Sequence, residues 1–202
     1  ADGNTFWSTR DTSYGAYMEV ATSNSAMTVE IHDRLADRGG LVGNVATAQT
    51  VSLDLSTLGA TNNISNRIGD TNYSDVQWWL EWYTATGTTA VTVTVNVTYN
   101  DGTTGALTGA SLAATRPVGF MLSLNALVPA ASSGKYIRGV NTVTLSATTG
   151  TAGSFGVTAT RPRMTLAAPI ANMKFVADWA QLGFPEIFNE ACLFPIVLTI
   201  TS

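Results

Sequence analysis

The sequence predicts an all-β fold: a single antiparallel β-sandwich over residues 1–202, jelly-roll-like, with one short helix near the C-terminus. Three observations predict it. Only 12% of the 202 residues are charged, against about 25% in an ordinary domain, and Thr, Ser, Asn and Gly fill the deficit. Those residues suit strand surfaces and turns. Apolar and polar residues alternate in short runs, and Gly/Asn/Asp-rich connections separate the runs. Helical spacing appears once, close to the end of the chain.

The elements follow in order. Residues 1–12 are polar with two rings, Phe6 and Trp7, and read as an N-terminal arm that orders against the chain's own core or a partner subunit. Tyr14 to Val20 reads as a first strand. Met27, Val29 and Ile31 alternate with Thr28, Glu30 and His32, a strand with one buried face that ends in the charged connection DRLADRGG. Leu41 to Leu58 is strand-like again, and GATNNISNRIGDTNYSD is a loop.

The segment from Trp78 to Gly105 is the predicted centre of the core. Trp78, Leu80 and Trp82 share one face of a strand; Trp79, Glu81 and Tyr83 share the other. Val91, Val93, Val95 and Val97 form an apolar face and Thr92, Thr94, Asn96 and Thr98 a polar one, as in antiparallel sheets. Asn100-Asp101-Gly102 predicts a hairpin turn. A similar unit runs from Tyr136 to Pro162, with Val140 and Val143 on opposite faces. Both units end in Ala-Thr-Arg-Pro, at Ala114 and Ala159, where duplication and chance are both open and each proline reads as a strand stop. Phe175, Val176, Trp179 and Leu182 then share a face at helical spacing, with Asn172 as cap, Gly183 as stop and Pro185 opening a short second turn. Ile196, Leu198 and Ile200 alternate as a terminal strand.

Composition excludes several function classes. A net charge of −4 argues against a nucleic-acid binder, which shows a basic stripe. The single cysteine, Cys192, excludes an internal disulfide framework and reads as a buried thiol. No signal peptide is visible, and no apolar run reaches the ~18 residues of a membrane helix. Assembly in a reducing cytoplasm is expected.

Reactive constellations are sparse. His32, followed by Asp33, is the only histidine; its position predicts an exposed or locally bonded side chain at a strand end rather than a triad or metal ligand. Asp33/Asp37 and Asp70/Asp75 lack the dense oxygen run of a calcium loop. Glu81 has no second carboxylate to complete a glycosidase pair. No catalytic residue, cofactor or metal is expected. The residues expected to touch a partner are Phe6, Trp7, Arg10, Trp79 and Tyr83. The last two would also serve a carbohydrate-binding platform, provided that the rings of Trp78, Trp79 and Trp82 are not all buried.

The strings HDRLADRGGLVGNVATAQTVSLDLS, TRPVGFMLSLNAL, YIRGVNTVTLSATTGTAGSFGVT and LGFPEIFNEACLFPIVL together resemble a family of virion structural proteins from tailed bacteriophages. The resemblance spans roughly residues 30 to 202. It implies a virion component: first a capsid decoration (cement) protein on the capsid surface that bridges major capsid protein subunits, second a tail or neck protein. It implies no enzymatic turnover, and a homo-oligomer, with a trimer favoured by analogy with other cement proteins.

Overall fold

The structure, a computed structural model, describes residues 13–59, 61–150 and 153–199, without the side chain of Asn62. Among these residues 51% are strand and 11% helical. The fold is all-β, with several antiparallel pairings. The chain divides into two compact units, a central one of Ala36–Ala159 and a terminal one made of residues up to Leu35 and from Thr160 onward.

The strands are β1 (Ser13–Tyr14), β2 (Tyr17–Ala21), β3 (Met27–Val42), β4 (Gln49–Asp54), β5 (Gln77–Trp82), β6 (Val91–Tyr99), β7 (Thr104–Leu112), β8 (Met121–Ser123), β9 (Ile137–Leu145), β10 (Ser154–Ala168), β11 (Lys174–Asp178), β12 (Glu186–Ile187) and β13 (Leu193–Thr199). Three single-turn α-helices, α1 (Leu55–Leu58), α2 (Ile64–Arg67) and α3 (Trp179–Leu182), and three 3-10 turns, Thr61–Asn63, Asn125–Leu127 and Ala130–Ser132, interrupt them. β3 and β10 supply residues to both units.

In the central unit β4, β9, β6 and β7 form a four-stranded sheet in that order, and β5 pairs with β8. Val91, Val93, Val95 and Val97 are all buried; between them Thr92 and Asn96 are exposed. The period of two therefore yields one apolar face, as the sequence predicts. The hairpin turn also forms: Gly102 sits at φ 83°, and Thr103 N–H donates to Asp101 Oδ1 at 2.9 Å. Trp78 Nε1 donates to the Ile137 carbonyl at 2.8 Å, tying β5 to β9. Trp82 stacks on Phe155 at 5.0 Å. Each such buried ring removes about 150–250 Å² from solvent.

In the terminal unit β1 pairs with β12, β2 with β11, and β13 with β3. Met18, Val20, Val29 and Ala168 form its core, with Met27, Ile31, Met164, Leu166, Phe175 and Leu182 packed against them.

Several expectations are corrected. DRLADRGG is not a connection: β3 runs through it to Val42, and Leu35 within it and Leu41 directly after it are buried. The strand expected from Leu41 to Leu58 is confined at its end by Asp54, whose carboxylate accepts from Ser56 N–H and starts α1. Val140 and Val143 are both buried, because the β9 ladder shifts register between them and admits one extra residue. β10 passes through Pro162, while the first Ala-Thr-Arg-Pro lies in a turn, so the two copies have different backbones. The helix expected from Phe175 is a strand until Asp178. Asp178, not Asn172, caps the single turn that follows, and Pro185 opens no helix. Gly183 ends that turn at φ 70° as predicted.

Candidate interaction surface

Of the residues expected to touch a partner, Phe6, Trp7 and Arg10 lie outside the described residues. Trp79 is 6% exposed, and Trp78 and Trp82 are buried as well. Three buried rings leave no sugar-binding platform at this strand. Trp79 fails the expectation because β5 is covered on both faces: on its second face Glu81 accepts from the buried Thr158 hydroxyl at 2.6 Å. Tyr83 is half-buried, and its ring lies over Gly39 and Gly156.

His32 is in mid-strand and fully buried, not exposed at a strand end; of the two alternatives expected, the locally bonded one holds, through Glu30. Its Nε2 lies 2.8 Å from Glu30 Oε2, and its Nδ1 lies 3.0 Å from Thr160 Oγ1. Burial pushes its pKa down, against the opposing pull of the Glu30 carboxylate. Hydroxyl, imidazole and carboxylate stand in the order of a nucleophilic triad. Both Thr160 and His32 are sealed from solvent, so the arrangement satisfies buried polar atoms rather than presenting a nucleophile. Asp33 is also buried and accepts from Cys192 N–H at 3.0 Å. Asp70 Oδ1 accepts from Asn72 N–H, which shapes its loop. Among the described residues no three His, Cys, Asp or Glu side chains are grouped to hold a metal ion, and no helix is long and apolar enough to cross a membrane.

The surface itself singles out a different region. Among the described residues the large hydrophobic side chains that remain exposed are Val118 in the central unit and nine in the terminal unit. Seven of the nine follow a ribbon. The β2/β11 pair sets Tyr17 opposite Asp178, Glu19 opposite Val176 and Ala21 opposite Lys174 on its outer face. Trp179 opens α3 directly after that face, and Phe184 follows the helix. Trp179 and Phe184 stack at 5.2 Å and 19°, and Tyr14 meets Phe184 edge-on at 6.3 Å. Exposures are 55% for Tyr14, 57% for Tyr17, 56% for Trp179 and 46% for Phe184. Met173 and Ile170 stand at the other end of the ribbon, also exposed.

Local chemistry fixes the rings. Asp178 accepts from the N–H groups of Ala180 and Gln181, and Gln181 Oε1 accepts in return from Asp178 N–H. This capping box holds Trp179 in place. Phe184 occupies the left-handed region at φ 49°, a conformation costly for a bulky side chain. The β1–β12 pair and the Gly15 N–H bond to Pro185 at 2.9 Å close the turn around it. The sequence pattern hid this site, because Trp179 fits the apolar side of a helix that does not form. The Asp-x-x-Gln spacing of 178–181 was the available signal.

The remaining two exposed residues, Leu193 and Val197, lie on β13, which ends its sheet among the described residues. Arg34 N–H donates to the Cys192 carbonyl, which fixes the ladder phase: residues 193, 195, 197 and 199 turn their backbone groups to the open edge. Pro195 therefore removes one donor from that edge, a device that discourages strand addition.

Comparison of the chain with protein-family models, with curated proteins and with solved structures gives no match.

Proposed function

We propose that the chain is a structural component of a tailed-phage virion, a capsid decoration protein that stabilises the expanded shell by bridging major capsid protein subunits. Two lines support the reading: the resemblance over residues 30–202, and the distribution of exposed apolar surface. The second carries it. A protein that works by contact needs apolar area left uncovered in the free subunit, and the terminal unit has it while the central unit has almost none. Contiguous exposed rings mark association surfaces more often than reactive ones.

The mechanism is linkage. A protein that binds only the assembled, expanded shell stabilises that state by mass action, and repetition over the lattice multiplies a modest contact. No bond is made or broken, and no cofactor is needed.

The test is direct. Purified protein is mixed with expanded shells that lack decoration, and bound protein is counted after sedimentation. Saturable binding with a rise in the shell's melting temperature is expected. Shells that stay bare at saturating protein would end the decoration reading.

A further inference from the structure

We propose that the ring strip of the terminal unit meets the same strip of a second copy across a two-fold axis. The inference does not depend on the virion reading, since it concerns the chain's contact with itself.

Four observations carry it. The first is strain. Phe184 is held left-handed at φ 49° directly after Gly183, and its ring is half-exposed. A free protomer gains little by holding an exposed ring in a costly backbone, so the gain lies in a contact.

The second is the state of the polar neighbours. Asp178 and Gln181 bond to each other's backbone. Glu19 receives Lys174 at 2.7 Å and the Tyr17 hydroxyl at 3.1 Å. Part of the hydrogen-bonding capacity beside the rings is thus used internally. A sugar needs such groups for orientation, whereas an apolar protein surface does not.

The third is charge. The strip holds Lys174, paired with Glu19, at one end and Asp178 at the other. A two-fold through its middle sets Lys174 of one copy toward Asp178 of the other, although the whole chain carries −4.

The fourth is area. Aromatic side chains have about 150–250 Å² to bury, so four half-exposed rings offer on the order of 400 Å². With Val176, Met173 and Ile170 the strip reaches roughly 700 Å², above the ~300–600 Å² of an ordinary monomer's largest patch and close to the ~800 Å² per partner of a stable interface. Among the described residues the other exposed large apolar side chains are Leu193, Val197 and Val118, too few to match the strip, so like meets like.

The test is the assembly state of the full chain, by light scattering after size exclusion and by analytical ultracentrifugation. The wild type is expected to be a dimer, or a larger assembly with an even number of copies. Trp179→Ser is expected to weaken association by roughly tenfold or more, as loss of a central ring does. Phe184→Gly should do the same. Because glycine accepts the left-handed backbone, its circular dichroism and melting temperature separate lost contact from lost fold. A wild-type monomer at the highest soluble concentration overturns the proposal. So does a trimer, or an assembly that survives both substitutions. Failure to bind shells would leave this result standing, and the reverse also holds.

Discussion

Trp82 and Trp179 are the same residue type put to opposite uses. In the central unit Trp82 stacks on Phe155 at 5.0 Å and 10°, sealed from solvent. In the terminal unit Trp179 stacks on Phe184 at 5.2 Å and 19°, with half its surface open. The ring pairs are nearly alike; what differs is what lies behind them. The central unit closes layers of sheet over its rings. In the terminal unit the exposed rings lie on and beside short pairs, β1–β12 and β2–β11, too narrow to cover both of their faces. A narrow ribbon buries one face, Met18 and Val20 here, and leaves the other exposed. The sealed ring pair thus lies in one unit and the open ring pair in the other.

The largest effect separates the two tryptophans directly. Trp82→Ala removes a fully packed ring and should cost about 3–5 kcal/mol in urea unfolding. Trp179→Ala, measured dilute enough to keep the protein dissociated, should stay within about 0.5 kcal/mol of wild type. Equal costs would break the comparison.

A second contrast uses glycines. A Cβ at Gly156 would lie 2.6 Å from the Arg38 carbonyl oxygen and 2.9 Å from Gly39 Cα. Backbone cannot give way, so Gly156→Ala should cost about 1–3 kcal/mol. At Gly15 the nearest atom is the sulfur of Met164, which moves easily. Gly15→Ala should therefore cost less than Gly156→Ala in the same unfolding assay.

Tyr99→Phe sharpens the picture of the central core. The Tyr99 hydroxyl is buried with no hydrogen-bond partner, so its removal should raise stability by up to about 1 kcal/mol. A loss on substitution would mean that the hydroxyl is satisfied in solution.

The smallest effect is with pH; its sign is the same in both units, but it sets in at a different pH in each. Burial holds His32 below its ordinary value of 6.5. The unfolded chain then takes up the proton first, so the contribution is full above about pH 6.5 and is lost as pH falls through the lower folded value. For Asp54 burial pushes the pKa up, but the bonds from Ser56 and Arg138 outweigh it and hold the group below 3.8. Its contribution is present above that value and is lost only in stronger acid. Hydrogen exchange followed during acidification should show β3 and β13 loosening before β4 and β9. His32→Gln should remove the early phase.

How much of this was legible follows from where each partner sits in the chain. Val91 to Val97 could be read because period two is a local property. Asn100 to Gly102 and Gly183 could be read because turn chemistry is local as well. His32 could not, since its partner Thr160 is 128 residues away. Asp33 could not for the same reason, with Cys192 at a separation of 159. Trp79 looked outward by parity, but parity cannot say whether a second face is covered. At Phe175 to Leu182 two periods coincided: Phe175 and Ala177 point inward by strand alternation, while Val176 and Trp179 fit a helix that the Asp178 cap begins too late to include.

By itself the sequence determined the all-β class, the central valine ladder and its hairpin, because alternation and turn residues act over a few positions. Only the tertiary structure decided which rings are hidden and which are shown. Burial depends on what another part of the chain lays over a face, and that is settled by pairings between strands far apart in sequence.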